Sequence, residues 1–489
     1  MKRSFFFKPK RMTIPLWLAL LLMLPIVHAG EQATRAVLMV RELVDKGEVA
    51  PGTTLKLMVK QGNIASFLGQ DFELKAQWER LTGTVLDVGI MPQLASHEFI
   101  RSSKEVDITI VRNREYPDLV KQGLITDLTP LTQRFGFTLS EDTASGYILP
   151  RLQAYFDDRI YAIPADGDMA LLYLRQDLLQ DEANRKRFHE RYGEALKAPE
   201  TWADYLRLVA FFNRPDSGFY GALEPREPLT AWMYWMPRYA SQAYPNQYLF
   251  DEQMHPLIAS PAGVRATENF VRTVPFSPPD ILGMGKDYSY TLPFFLNGKG
   301  FATIITLAGA KLFNLDTSAV KGKFKVVPMP GNRVDGRLIR RSTLIYGNNI
   351  VIPRQSRQPL LAFLYAMWVT DPDVSVDSVG VKAGFADPFR YNHLGNARIN
   401  AVYTTEALAV MRNGLTDVVP AGTGLPGDDE YIAALNQNLW RAAKGELTAA
   451  SAMANTAQEW ERITDRYGRE KQMHYWRQSH QLYPHGREE

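Results

Sequence analysis

The chain has 489 residues, 56 Lys and Arg against 53 Asp and Glu, 45% hydrophobic residues and no cysteine. That length exceeds one hydrophobic core, so two domains are expected. The absence of thiols excludes disulfides, thiolate zinc sites, cysteine nucleophiles, iron–sulfur clusters and a lipid-modified cysteine behind a leader.

Lys2, Arg3, Lys8, Lys10 and Arg11 precede an apolar run over 14–27 and a small-residue end at Ala29. This is a secretory-signal pattern, with cleavage near Ala29 and a mature chain of about 460 residues from Gly30. The run is short for an ordinary membrane span, and an uncleaved anchor is the competing reading. Without the leader's five basic residues, 51 Lys and Arg face 53 Asp and Glu. A near-neutral mature chain offers no basic surface for nucleic acid or anionic lipid. The expected location is the periplasm, in soluble form.

Residues 33–46 carry Ala36, Val37, Val40, Leu43 and Val44 at helical spacing and stop at Gly47. We read 30–53 as a helical extension ahead of the first domain. Leu55, Leu57 and Val59 alternate within a strand over 54–60, followed by the polar turn Gln61, Gly62 and Asn63. A helix over about 71–81 and a strand over 85–90 complete a βαβ unit. Another strand over 107–111 ends in Arg112, Asn113, Arg114 and Glu115, and a helix closes at Gly123. The second half repeats the alternation, with strands near 300–305, 324–327 and 350–352 and helices near 359–369 and 429–444. Strand alternating with helix predicts an α/β chain with parallel, helix-covered sheets and ligands beyond the carboxyl ends of the strands. No fixed-period repeat and no low-complexity linker separates consecutive domains, so interleaved domains are expected.

Five segments share an order. They are Asp158-Arg-Ile-Tyr-Ala-Ile-Pro-Ala-Asp-Gly-Asp-Met-Ala-Leu-Leu-Tyr173 with Asp177-Leu178-Leu179; Pro199, Thr201 and Trp202; Phe295-Leu-Asn-Gly-Lys-Gly300 with Gly309; 316–330; and Gly445 to Met453. In that order they resemble family 1 extracellular solute-binding proteins, the group that includes maltose-binding protein. The resemblance implies a two-lobed periplasmic-binding-protein fold of type II, with interleaved lobes joined by hinge crossings near Pro164, Phe295 and Tyr346. Lobe 1 is expected from 54–163 plus 296–345, lobe 2 from 164–295 plus 346–468, and a polar tail from 469–489. It further implies capture of a sugar or polyol for an inner-membrane ABC permease by a monomer, with no catalysis, cofactor or metal.

By the same resemblance, Gln61 and Asn63 match the loop after the first strand. Arg112, Arg114 and Glu115 match the second polar cluster, and Asp168 the acid of the crossover. Glu227 and Trp232 fall where the family has an acid and an aromatic facing the cleft. Hydroxyl-rich ligands need such bidentate groups, and flat rings for their C–H faces. The competing reading of each carboxylate is a surface or hinge ion pair. Trp232 and Trp235 are three apart and share a helix face, so core packing competes with a sugar pocket. Gly309-Ala310-Lys311 stands where the family has Gly-Pro-Trp, which removes one expected stacking ring. Tyr346, Asn348 and Asn349 open the third crossing, where the asparagines either bind ligand or cap a turn.

Gly422-Thr-Gly-Leu-Pro-Gly427 satisfies the dinucleotide fingerprint by letter but lacks a preceding strand, and Asp428, Asp429 and Glu430 would repel a pyrophosphate. Asp166-Gly-Asp168 begins like a calcium loop whose other ligands are missing. His474, His480 and His485 sit too irregularly to converge on a metal and are read as a solvated tail. Two competitors are carried forward: a glycoside-active enzyme using Asp168 and Glu227, and a scaffold that kept the fold without small-ligand binding.

Overall fold

The computed structural model describes residues 30–92, 95–344 and 347–484; the expected leader and the candidate Tyr346 lie outside the described residues. The strands of its two main sheets, in chain order, are β1 (Thr54–Val59), β2 (Val85–Ile90), β3 (Ile108–Arg112), β4 (Ala170–Arg175), β5 (Tyr220–Leu223), β6 (Gly300–Thr306), β7 (Phe324–Val327) and β8 (Asn348–Val351).

Leu55, Leu57 and Val59 alternate along β1 and are all buried, as period-two side chains on one face require. β1 lies between β2 and β3, parallel to both, and β8 closes the sheet antiparallel to β3 with Asn348 opposite Arg112. Helix Pro359–Val369 is apolar on every side and buried from Leu361 onward. It packs on helix Glu31–Asp45, whose Ala33, Ala36, Val37, Val40 and Leu43 form the buried stripe. Residues 30–53 are therefore part of the first lobe and not an extension ahead of it. Asp371 fastens that helix, its Oδ2 accepting the Ala33 amide at 2.8 Å while Oδ1 accepts Asp373 at 2.9 Å.

The second sheet has the order β5-β6-β4-β7. β4 runs antiparallel to both β6 and β7, with Leu172 opposite Ile304 and Val327, and only β5 and β6 are parallel. The expectation of parallel sheets thus holds for the first three strands and fails here. β4 enters the sheet from a hinge rather than from a helical crossover, so no right-handed βαβ rule fixes its direction.

The pairing also corrects the division of the chain. Segment 296–345 was expected in lobe 1, yet β6 and β7 pair with β4 in lobe 2. Residues 346–468 were expected in lobe 2, yet β8 pairs with β3 and helix Pro359–Val369 covers lobe 1, and only the part from Val419 onward joins the second core. The reason is the turn at Asn297 and Gly298. Gly298 has φ +70°, and its amide and that of Lys299 fold back on Phe295 and Phe294, returning the chain along β5 without leaving the lobe.

The tail departs from expectation as well. Arg469–His480 is a helix with Trp476 and Gln472 buried, and Tyr483 follows it into the second core. The same helix touches lobe 1, where Tyr475 stacks on Phe156 at 5.0 Å and His474 Nε2 meets Asp157 Oδ1 at 2.9 Å. Lobes also join through Arg114, whose Nη1 lies 2.9 Å from Asp428 and 2.7 Å from Asp429 at the start of helix Asp428–Ala443. The glycine-rich segment 422–427 is the loop feeding that helix, and Asp118 accepts its Gly427 amide at 2.6 Å.

Trp78 is fully buried between Tyr365 at 5.2 Å and Trp368 at 5.3 Å, so Trp78→Ala should lower stability by about 3–5 kcal/mol in urea unfolding. A loss below about 1 kcal/mol would contradict this packing. Asp428 is 1% exposed, so Arg114→Ala strands a buried carboxylate and should cost about 3–5 kcal/mol. Adding Asp428→Asn should recover part of that loss, and no recovery would show that the pairing is not its cause.

Candidate ligand-binding cleft

The ends of five strands meet in one place. β1 runs into Lys60 and a turn at Gln61–Asn63, β3 into a turn at Asn113–Glu115, and β8 starts at Asn348. From the other lobe, Asp166 and Asp168 precede β4 and Thr306 ends β6. A cavity of about 170 Å3 opens there, lined by Lys60, Asn63, Arg112, Asp166, Asp168 and Asn348 among others, with Tyr288 and Phe385 as its rings.

Four candidates from the sequence line it: Asn63, Arg112, Asp168 and Asn348. Others stand behind it or elsewhere. Glu115 is a positioning group, accepting the Arg112 amide at 2.7 Å and the Ser96 hydroxyl at 2.9 Å. Burial pushes its carboxyl up, but Arg112, Lys60 and Arg114 outweigh burial and hold it below the usual range. Asn349 secures the crossover, accepting Ala165 N at 3.2 Å and donating to Tyr116 Oη at 2.9 Å. Gln61 is exposed, and Arg114 turns to Asp428. Gly309 is a packing glycine, since a Cβ there would fall 2.6 Å from Ile305 and 3.1 Å from Tyr173.

The aromatic candidates are in the second core. Trp235 stacks on Tyr239 at 4.8 Å and donates its indole N–H to Thr267 Oγ1 at 2.8 Å. Trp232 is buried beside it, with the Arg114 guanidinium 5.8 Å from its ring. Core packing, the rival reading of their helical spacing, describes both. Glu227, in the loop after β5, is buried and does not line the cavity; burial and the nearby Asp287 raise its pKa.

Sequence reasoning missed Lys60, Asp166, Tyr288, Thr306, Phe385 and Asp387. Lys60 and Asp166 were one and two positions from residues singled out, whereas the 380–387 loop has no strand or helix pattern to flag it. Lys60 donates to Asn348 Oδ1 at 2.7 Å, and burial followed by Arg112 lowers its pKa to about 8. Lys311 is 1% exposed and carries the departure from Gly-Pro-Trp inward. Its ammonium donates to the carbonyls of Val379, Val381, Gly384 and Ala386 at 2.8, 3.3, 3.1 and 3.0 Å. Burial lowers its pKa to about 8, against the raising effect of Asp387.

Asp166, Asp168 and Asp387 each bring a carboxylate oxygen within 4.8 Å of the others. Asp166 Oδ1 accepts the Asp387 amide at 2.9 Å. Burial, then the Asp387 charge, raises Asp166 to about 7, and burial, then the Asp166 charge, holds Asp168 well above the usual carboxylate range. The folded chain therefore binds more protons than the unfolded chain between about pH 4 and pH 7, and this cluster's contribution to stability falls as pH rises through that window. Asp166→Asn should narrow the stability difference between about pH 5 and about pH 8, read by urea unfolding. An unchanged difference would remove Asp166 as its source.

A family model for the bacterial extracellular solute-binding protein matches residues 93–375, more than half of the chain. No curated protein matches the sequence. A solute-binding protein of an ABC transporter from Agrobacterium radiobacter K84, in complex with ribitol, superposes with TM-score 0.67 at 17% identity, over 84% of this chain and 99% of that one. Maltose-bound MalE3 of T. maritima gives 0.66 at 18% identity, over 84% and 100%. A solute-binding protein from Agrobacterium vitis S4 with bound D-mannitol gives 0.66 at 18%, over 85% and 99%. At such identities the likeness is one of fold, a two-lobed α/β binding protein. With the family match over more than half its length, the chain belongs to the bacterial extracellular solute-binding proteins.

Proposed function

We propose that this protein captures a small polar ligand, a sugar or polyol, between its lobes and hands it to an ABC-type permease of the inner membrane without turning it over. The observation that carries this reading is the polar cavity supplied by both lobes, with Lys60, Asn63, Arg112 and Asn348 from one and Asp168 and Thr306 from the other. Such a site closes around its ligand as the lobes rotate about their crossings. The proposed ligand contacts are Asn63, Arg112, Asp168 and Asn348. Export by the 1–29 leader, cleavage near Ala29 and action as a periplasmic monomer complete the proposal. Ribitol and mannitol in the related structures support a compact polyol as the first compound to try.

A second reading, a scaffold that kept the fold and lost small-ligand binding, draws on Lys311 alone, because its side chain is buried where the family has a stacking ring.

A panel of sugars, polyols, phosphorylated polyols and amino acids separates the two. With a Kd near micromolar, ligand at about one hundred times Kd should stabilise the fold by about 2.7 kcal/mol, readable as a thermal shift. Arg112→Ala should weaken the compound that binds by about tenfold or more. Silence across the panel from a folded sample favours the scaffold, and hydrolysis of a panel glycoside would overturn the non-catalytic part.

A further inference from the structure

Arg112 lines the cleft, and the two residues after it line a second cavity, of about 80 Å3, that shares no wall with the first. Its walls come from both lobes: Asn113, Leu152 and Tyr155 from one, and Ala421, Gln478 and Leu482 from the other. Ala421 stands just after the short strand Val418–Val419, which pairs with Ser342–Thr343, and Gln478 lies on the tail helix. Every charge at the wall has a partner. Arg114 is paired with Asp428 and Asp429, Arg151 with Asp158, and Asp157 accepts from His474 at 2.9 Å and from Gln478 Nε2 at 3.1 Å. Asn113 has none. It is 9% exposed, and its side-chain amide makes no hydrogen bond among the described residues. Neither atom of that amide is sealed in by protein, so it opens onto the cavity it lines. A buried amide without a partner works against folding, and an apolar side chain of the same size would serve the fold better.

We propose that this cavity is a second binding site, separate from the cleft, that takes a small neutral amide, and that Asn113 is the group that recognises it. An amide edge carries one C=O and one N–H side by side, which complements the Asn113 side chain. The ligand carbonyl accepts from Nδ2, and the ligand N–H donates to Oδ1. A carboxylate has no donor for Oδ1 and an ammonium no acceptor for Nδ2. With the wall charges already paired, either ion would also arrive without a counter-charge. The remaining wall, Leu152, Tyr155, Ala421 and Leu482, takes an apolar body. The space is roughly half of the ~150 Å3 that encloses a benzene, which suits a branched aliphatic group of about three or four carbons. Bound there, the amide touches both lobes and adds to the contacts that hold them as seen here.

Ligand-observed NMR titration of the mature chain with isobutyramide, N,N-dimethylisobutyramide and isobutyrate tests this. Isobutyramide should bind about tenfold tighter than the dimethyl form, which has no N–H to donate, and than the anion. Asn113→Leu should weaken isobutyramide about tenfold and, because it removes an unpartnered amide, should leave the urea midpoint no lower than before. If that variant does not fold, Leu152→Trp, which fills the space from a half-buried wall position, should abolish binding of the amide. Asn63→Ala, in the cleft, should leave isobutyramide binding unchanged. Equal binding of the three compounds, or no binding of isobutyramide at millimolar concentration, would overturn the site. So would binding that survives Asn113→Leu or Leu152→Trp, and a loss confined to Asn63→Ala would place the amide in the cleft instead.

Discussion

A buried lysine ammonium with no carboxylate in ion-pair contact must be solvated by the backbone, and Lys311 achieves this with four carbonyls from the end of helix Val374–Val379 and the loop after it. That requirement fixes the loop, and the loop fixes much else. It holds Phe385 at the cavity wall and presents the Asp387 amide to Asp166. Asp166 in turn takes a long contact at 3.4 Å from Asn348, the first residue of β8 and the partner of Arg112 across the sheet. A substitution that removes an expected aromatic ring therefore leaves an organised lining in its place. Lys311 stands on the segment following β6 in one lobe and the carbonyls belong to the other, so the charge also sets how closely the two approach.

Elsewhere the cleft is built by the general economy of strand ends. Parallel strands leave amide and carbonyl groups free beyond their carboxyl ends, and β1 and β3 meet this with tight turns at Gln61–Asn63 and Asn113–Glu115. Those turns aim Asn63 inward, and Glu115 closes the second by accepting the Arg112 amide. The crossover is treated more strictly. Asn349, fully buried, spends its amide on Tyr116, Gln153 and Gly347 and its carbonyl on Ala165, so its own side chain carries no loose polar group.

Much of this was legible in the sequence, and the failures have physical causes. Period-two alternation located β1 within a residue, because it has one face in a core, and β2 and β7 were expected at their observed bounds from strand-forming runs. Helix Pro359–Val369 declared itself through an unbroken apolar run. Topology was not legible in the same way. Nothing in a strand's composition says which sheet it joins, and a two-residue turn at Asn297–Gly298 decided the lobe of the next thirty or so residues. Asn63 and Arg112 were found because polar groups follow strands, a local rule, and Asp168 and Asn348 because the family resemblance put them at crossings. Trp232 and Trp235 were misplaced because a ring against a core and a ring against a sugar obey the same helical spacing. Asp387 and the carbonyls around Lys311 come from irregular backbone hundreds of positions from their partners, where no periodicity exists. The tail was mistaken for solvated chain because its mean polarity hides Trp476 and Tyr483, the two side chains that anchor it.

That anchored tail makes the carboxy terminus a mechanical part of the hinge. Its helix is rooted in the second lobe by Trp476 against Phe250 and rests on the first through Tyr475 and His474. Any wide gaping of the lobes has to peel this brace away, giving up a ring stack worth about 0.5–1.5 kcal/mol and an imidazole contact besides. These contacts thereby favour the lobe arrangement seen here over a more open one. On the proposed capture by closure, a ligand then supplies only the remaining part of the closing free energy.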